Sequence, residues 1–77
     1  MYTIEYTEEA ADNLRKVRVF DRQRILDAID RQLSQTPTQL TGNRKILLGL
    51  EPPWEYEEPI WELRIGQYRV FYDVSEK

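Results

Sequence analysis

The chain has 77 residues, with 11 Lys and Arg against 14 Asp and Glu, a net charge of −3, and neither cysteine nor histidine. A chain this short builds one small, marginally stable domain, so residues 1–77 are read as a single domain without disulfides. Lacking histidine, it has no ordinary general base at neutral pH and lacks the commonest metal ligand, so neither a metal nor a cofactor is expected.

No apolar run approaches the ~20 residues of a membrane span, and no signal-peptide pattern opens the chain. The expectation is a cytoplasmic protein with no membrane contact. Tight nucleic-acid binders usually carry a basic footprint, which this charge balance opposes. The acids are uneven, however. Glu51, Glu55, Glu57 and Glu58 crowd one stretch, so a basic patch elsewhere is compatible with the total.

Tyr2, Ile4 and Tyr6 alternate with polar residues and predict a first strand. Thr7 is a suitable N-cap, and Glu8 and Glu9 complement the first turn of a helix running to about Val17. Ile25, Ile29 and Leu33 recur every fourth residue, widened by Leu26, and predict a second helix with Asp21 as its N-cap. Pro37 ends it, because the residue before proline disfavours helix. Val19 and Phe20 fall at the bend of the helical pair. Arg44 to Leu50 reads as a short strand. Glu51 to Pro59 holds three prolines and reads as an irregular loop, with Trp54 and Tyr56 folding back on the domain edge.

Trp61 to Val74 reads as a β-hairpin. Two alternating runs flank Gly66-Gln67, and glycine at the first central position suits a type II′ turn. The register follows: Ile65 opposite Tyr68, Leu63 opposite Val70, Trp61 opposite Tyr72, all on one face. The other face carries Glu62, Arg64, Arg69, Phe71 and Asp73, with Arg64 directly opposite Arg69. Like charges across a ladder repel. Either Glu62 and Asp73 neutralise the arginines, or the pair is kept to bind an anion. The order β-α-α-β-β-β predicts an α+β fold, a two-helix hairpin packed on one face of a small, mainly antiparallel sheet. The expected core is Ile4, Leu14, Val17, Ile25, Ile29, Leu33, Leu63, Ile65, Val70 and Tyr72.

This order, with Arg44-Lys45 and the segment Trp61-Glu62-Leu63-Arg64-Ile65-Gly66-Gln67-Tyr68-Arg69-Val70-Phe71-Tyr72-Asp73-Val74, resembles the RelE/ParE toxin superfamily of type II toxin–antitoxin systems. The resemblance implies a toxin neutralised by a cognate antitoxin, with two possible targets. RelE-like members are endoribonucleases that cut mRNA on the ribosome and so inhibit translation. ParE-like members, associated with plasmid stabilization, inhibit DNA gyrase. A third reading is a non-catalytic interaction domain that retains the toxin fold.

On the nuclease reading, Arg69 and Arg64 stabilise phosphate charge and Glu62 is the candidate base. Arg44 and Lys45 are the candidate RNA contacts. Preorganised arginines suit a phosphorane, but the chemistry also needs an acid and a base. Two departures matter. The nuclease branch commonly carries lysine where Glu62 stands. Family members also continue into a further strand and basic tail beyond the point where this chain ends. Without that strand the Tyr68–Val74 edge is expected to pair with an antitoxin segment or a second copy, with Phe71 and Trp54 as partner contacts.

Overall fold

The computed structural model describes residues 1–75 and holds two helices followed by a three-stranded antiparallel sheet, an α+β fold. The elements are α1 (Glu8–Arg15), α2 (Val19–Leu33), β1 (Arg44–Leu47), β2 (Ile60–Ile65) and β3 (Tyr68–Tyr72). They divide between two compact units, Met1–Pro37 and Thr38–Lys77.

In the first unit, Thr7 caps α1 as its position suggests. Its Oγ1 accepts from the Ala10 N–H at 3.0 Å, satisfying one of the donors left open at a helix start. α1 stops at Arg15, two residues sooner than the apolar spacing suggests, and α2 begins at Val19 with Arg18 at the N-cap position. Asp21 therefore lies inside the first turn of α2 rather than at its cap. Ile25, Ala28, Ile29 and Leu33 form the buried stripe of α2, the i, i+3, i+4, i+8 spacing of one helix face. Leu14 and Val17 are only half-buried.

The expected first strand does not form. Tyr2 to Tyr6 joins no sheet among the described residues. Its alternation survives in burial: Tyr2 and Ile4 are half-buried, Thr3 and Glu5 exposed. The Tyr2 N–H donates instead to the Ser34 carbonyl, at 2.8 Å. A two-residue period shows which side chains are covered, but pairing requires a neighbouring strand in register.

In the second unit the sheet order is β1-β2-β3. The hairpin has the expected register throughout: Trp61 faces Tyr72, Leu63 Val70, Arg64 Arg69 and Ile65 Tyr68. Gly66 has φ +60°, and among the described residues none other than glycine has positive φ. Positive φ at the first central position alone is the type II′ pattern. Trp61, Leu63 and Ile65 are buried, and Tyr68, Val70 and Tyr72 half-buried. The rings of Trp61 and Tyr72 stack at 6.1 Å with an interplanar angle of 18°. β1 is shorter than expected, ending at Leu47, so Leu48 lies outside it and is exposed.

Candidate functional site

Strand register decides which candidate residues meet. Along β2, Ile60, Glu62 and Arg64 share one face and Trp61, Leu63 and Ile65 the other, because side chains alternate. β1 pairs with β2 so that Lys45 stands opposite Glu62 and Arg44 opposite Leu63. β3 places Phe71 opposite Glu62 and Arg69 opposite Arg64. One face of the sheet thus carries a row Lys45–Glu62–Phe71 and, one step along, the pair Arg64–Arg69. Asn43 extends the second row. Its carbonyl accepts the Arg64 N–H at 2.8 Å, and its side-chain amide donates to the Arg64 carbonyl at 3.4 Å.

The register separates one pair that the sequence sets side by side. Arg44 does not join Lys45 as a basic pair. It lies on the opposite face, level with Leu63 and only 7% exposed, and its guanidinium donates to the Gln39 carbonyl at 3.1 Å. Adjacent residues of a strand cannot share a face, so only Lys45 remains beside the hairpin's charges. Glu62 lies on the expected face but is buried, at 3% exposure. Its carboxylate lies 3.7 Å from the Arg69 guanidinium, whose side chain is 62% exposed. The two residues are diagonal neighbours across the hairpin, a separation that long side chains span.

The remaining candidates scatter. Asp73 does not neutralise an arginine. Its Oδ2 accepts the Glu57 backbone N–H at 2.7 Å and so ties the acidic loop to the end of the hairpin. Arg64 is exposed, with no ion pair among the described residues. Phe71 is 40% exposed on the charged face. Trp54 is half-buried in the loop. Tyr72, on the opposite face, has its phenol pushed up to about 12 by burial, a rise that the nearby Arg44 charge opposes. Among the described residues no group of acidic side chains could hold a metal ion.

The search with family models finds the ParE toxin of type II toxin–antitoxin systems, parDE, over residues 4–77. The chain belongs to that family. It is a type II toxin, and family membership implies an antitoxin partner for it. Neither a comparison with curated proteins nor one with solved structures finds a match. Among the described residues of this ParE-family toxin, no helix is long and apolar enough to cross a membrane.

Two structural devices carry no local sequence signal. One is Asn43, which clamps β1 to β2 across a separation of 21 residues. The other is Arg22. Its guanidinium donates to the carbonyls of Leu14 at 2.8 Å, Arg15 at 3.2 Å and Val17 at 3.0 Å. Those carbonyls lie in the last turn of α1 and the turn that follows it, where the Leu14 carbonyl also accepts the Val17 N–H, and a cation there complements the helix dipole.

Proposed function

We propose that this toxin acts by binding a protein target, as a DNA gyrase inhibitor of the ParE type, and that its arginine face is not a nuclease centre. The observation that carries the proposal is the state of Glu62. Cleavage by a 2′-hydroxyl needs a base for that hydroxyl and an acid for the leaving oxygen. Glu62, the base candidate beside the arginines, is buried and paired with Arg69. Tyr68 and Tyr72 lie on the opposite face of the hairpin, and the raised Tyr72 phenol is far from neutral acid–base work. Arg69 then serves mainly to compensate a buried carboxylate.

A cognate antitoxin neutralises the toxin in this reading. The outer edge of β3 supports strand addition there, since β3 ends the sheet among the described residues and Phe71 adds exposed apolar area. The nuclease reading draws its support from Lys45, Arg64 and Arg69 sharing one face, an arrangement suited to phosphate.

Induced expression without antitoxin tests the choice. The gyrase reading expects growth arrest, inhibition of supercoiling by purified gyrase, uncut ribosome-bound mRNA, and arrest that survives the Arg64→Ala variant. Cleaved mRNA whose cuts vanish in Arg69→Ala would establish the nuclease instead. Unimpaired growth would leave the non-catalytic interaction domain.

A further inference from the structure

Among the described residues the most exposed aromatic side chain is at the bend between α1 and α2. Phe20 is 78% exposed and its neighbour Val19 is 72% exposed. Isolated exposed apolar residues are ordinary on protein surfaces. These two are adjacent, and the bend that presents them is braced by hydrogen bonds. Arg22 fastens it from within by its three bonds to the carbonyls of Leu14, Arg15 and Val17. The Val17 N–H closes the turn on the Leu14 carbonyl at 3.1 Å. An exposed aromatic beside an aliphatic side chain, carried on a backbone tied to the end of α1, has the make-up of an interface anchor.

The surroundings state what kind of partner fits. Residues 15–24 hold five of the chain's eleven cations and one of its fourteen acids. Arg22 is turned inward, and Arg15 pairs with Asp12. Lys16, Arg18 and Arg24 are exposed. Arg24 follows Phe20 by four residues in α2, so the two share one side of the helix. An apolar centre with a cationic rim, on a chain that is acidic overall, complements an apolar socket edged by carboxylates.

We infer that the α1–α2 bend is the surface by which this toxin docks on its protein target, with Val19 and Phe20 entering an apolar socket and Lys16, Arg18 and Arg24 meeting carboxylates at its rim. The inference rests on the reading that the toxin works by binding a protein, and it moves the working surface from the hairpin arginines to the helical pair. Truncating or charging a central aromatic anchor typically weakens binding about tenfold or more. Rim charges act mostly on association rate and on salt dependence.

The test compares the full-length wild type, Phe20→Glu and the double variant Lys16→Glu/Arg18→Glu. Each is assayed for growth arrest on induction, for binding to purified gyrase, and for thermal unfolding. The expected result is that Phe20→Glu loses arrest and weakens gyrase binding about tenfold or more, with an unchanged melting curve. The double variant should lose most of the arrest too, and wild-type binding should weaken with added salt. Should Phe20→Glu fail to fold, the double variant decides, because its two positions are exposed. Arrest at the wild-type level in a folded Phe20→Glu or double variant overturns the inference while leaving the binding reading intact. A wild type that arrests growth without binding gyrase sinks the gyrase target instead, and loss or retention of arrest in the variants still decides the bend.

Discussion

Glu62 and Arg69 meet diagonally across the β2–β3 hairpin, 3.7 Å apart, with the carboxylate buried and the guanidinium largely in solvent. The asymmetry sets what each side chain contributes. Glu62 relies on Arg69 for compensation, whereas water already solvates much of Arg69. Removing the exposed partner therefore harms the fold by leaving a buried carboxylate poorly compensated. Arg69→Ala is expected to destabilise by about 1 kcal/mol, the modest scale of a pair with one exposed member. In a Glu62→Gln background the same substitution should cost much less. A double-mutant cycle in urea measures the coupling. Additive effects would show that the pair is not coupled.

Arg22 closes three carbonyls at the end of α1. Arg22→Ala should lower stability by about 1–3 kcal/mol, since each charge-assisted bond contributes and the freed acceptors are only partly open to water. Arg22→Lys should recover only part of this, because an ammonium lacks the planar fork that reaches several carbonyls. Chemical denaturation of the three proteins checks the ranking, and a lysine variant as stable as wild type would contradict it.

Gly66 sits at φ +60° in the hairpin turn. Gly66→Ala forces a side chain into that region at a cost of about 1–2 kcal/mol. Gly66→Asn should cost less, because asparagine tolerates positive φ better. The melting temperatures should fall in the order glycine, asparagine, alanine.

Tyr72 supplies a pH signature. Its folded value of about 12 stands above the ordinary phenol value of 10.0. The unfolded chain therefore releases this proton first as pH rises. Stability from the neutral phenol is full below pH 10.0 and is lost progressively towards about pH 12. Tyr6 is also raised, by burial first and then by Asp30, and adds a loss of the same sign. Tyr72→Phe should flatten part of the alkaline fall in a urea-midpoint series. Ultraviolet titration of the folded wild type should show a late-ionising phenol that disappears in Tyr72→Phe, and its persistence there would refute the assignment.

Much of the second unit was legible from residue order. The hairpin register followed from two alternating runs around Gly66-Gln67, because a two-residue loop leaves one pairing that keeps each run's apolar side on the same face. The buried stripe of α2 followed from the fourfold spacing of Ile25, Ile29 and Leu33. The opposed Arg64 and Arg69 were evident for the same local reason. Alternation also separates Arg44 from Lys45, so pairing them as phosphate ligands overlooked a signal already present in two adjacent letters.

What the sequence by itself determined were the short-range relations, in which turn chemistry and side-chain period act within one or two turns of chain. Tertiary structure alone decided the rest. The pairing of β1 with β2 spans an irregular loop, so no turn geometry dictated that Lys45 would stand opposite Glu62. Burial of Glu62 is not set by the alternation of its own strand, because a two-residue period reports only a side, not its cover. Tyr2 to Tyr6 has the alternation of a strand yet joins no sheet among the described residues, because a ladder needs a second backbone at the correct distance. Arg22 finds its partners five to eight residues back only once the chain has turned. In each case the deciding contact joins groups that the local pattern does not relate, and its geometry exists only when the chain has folded.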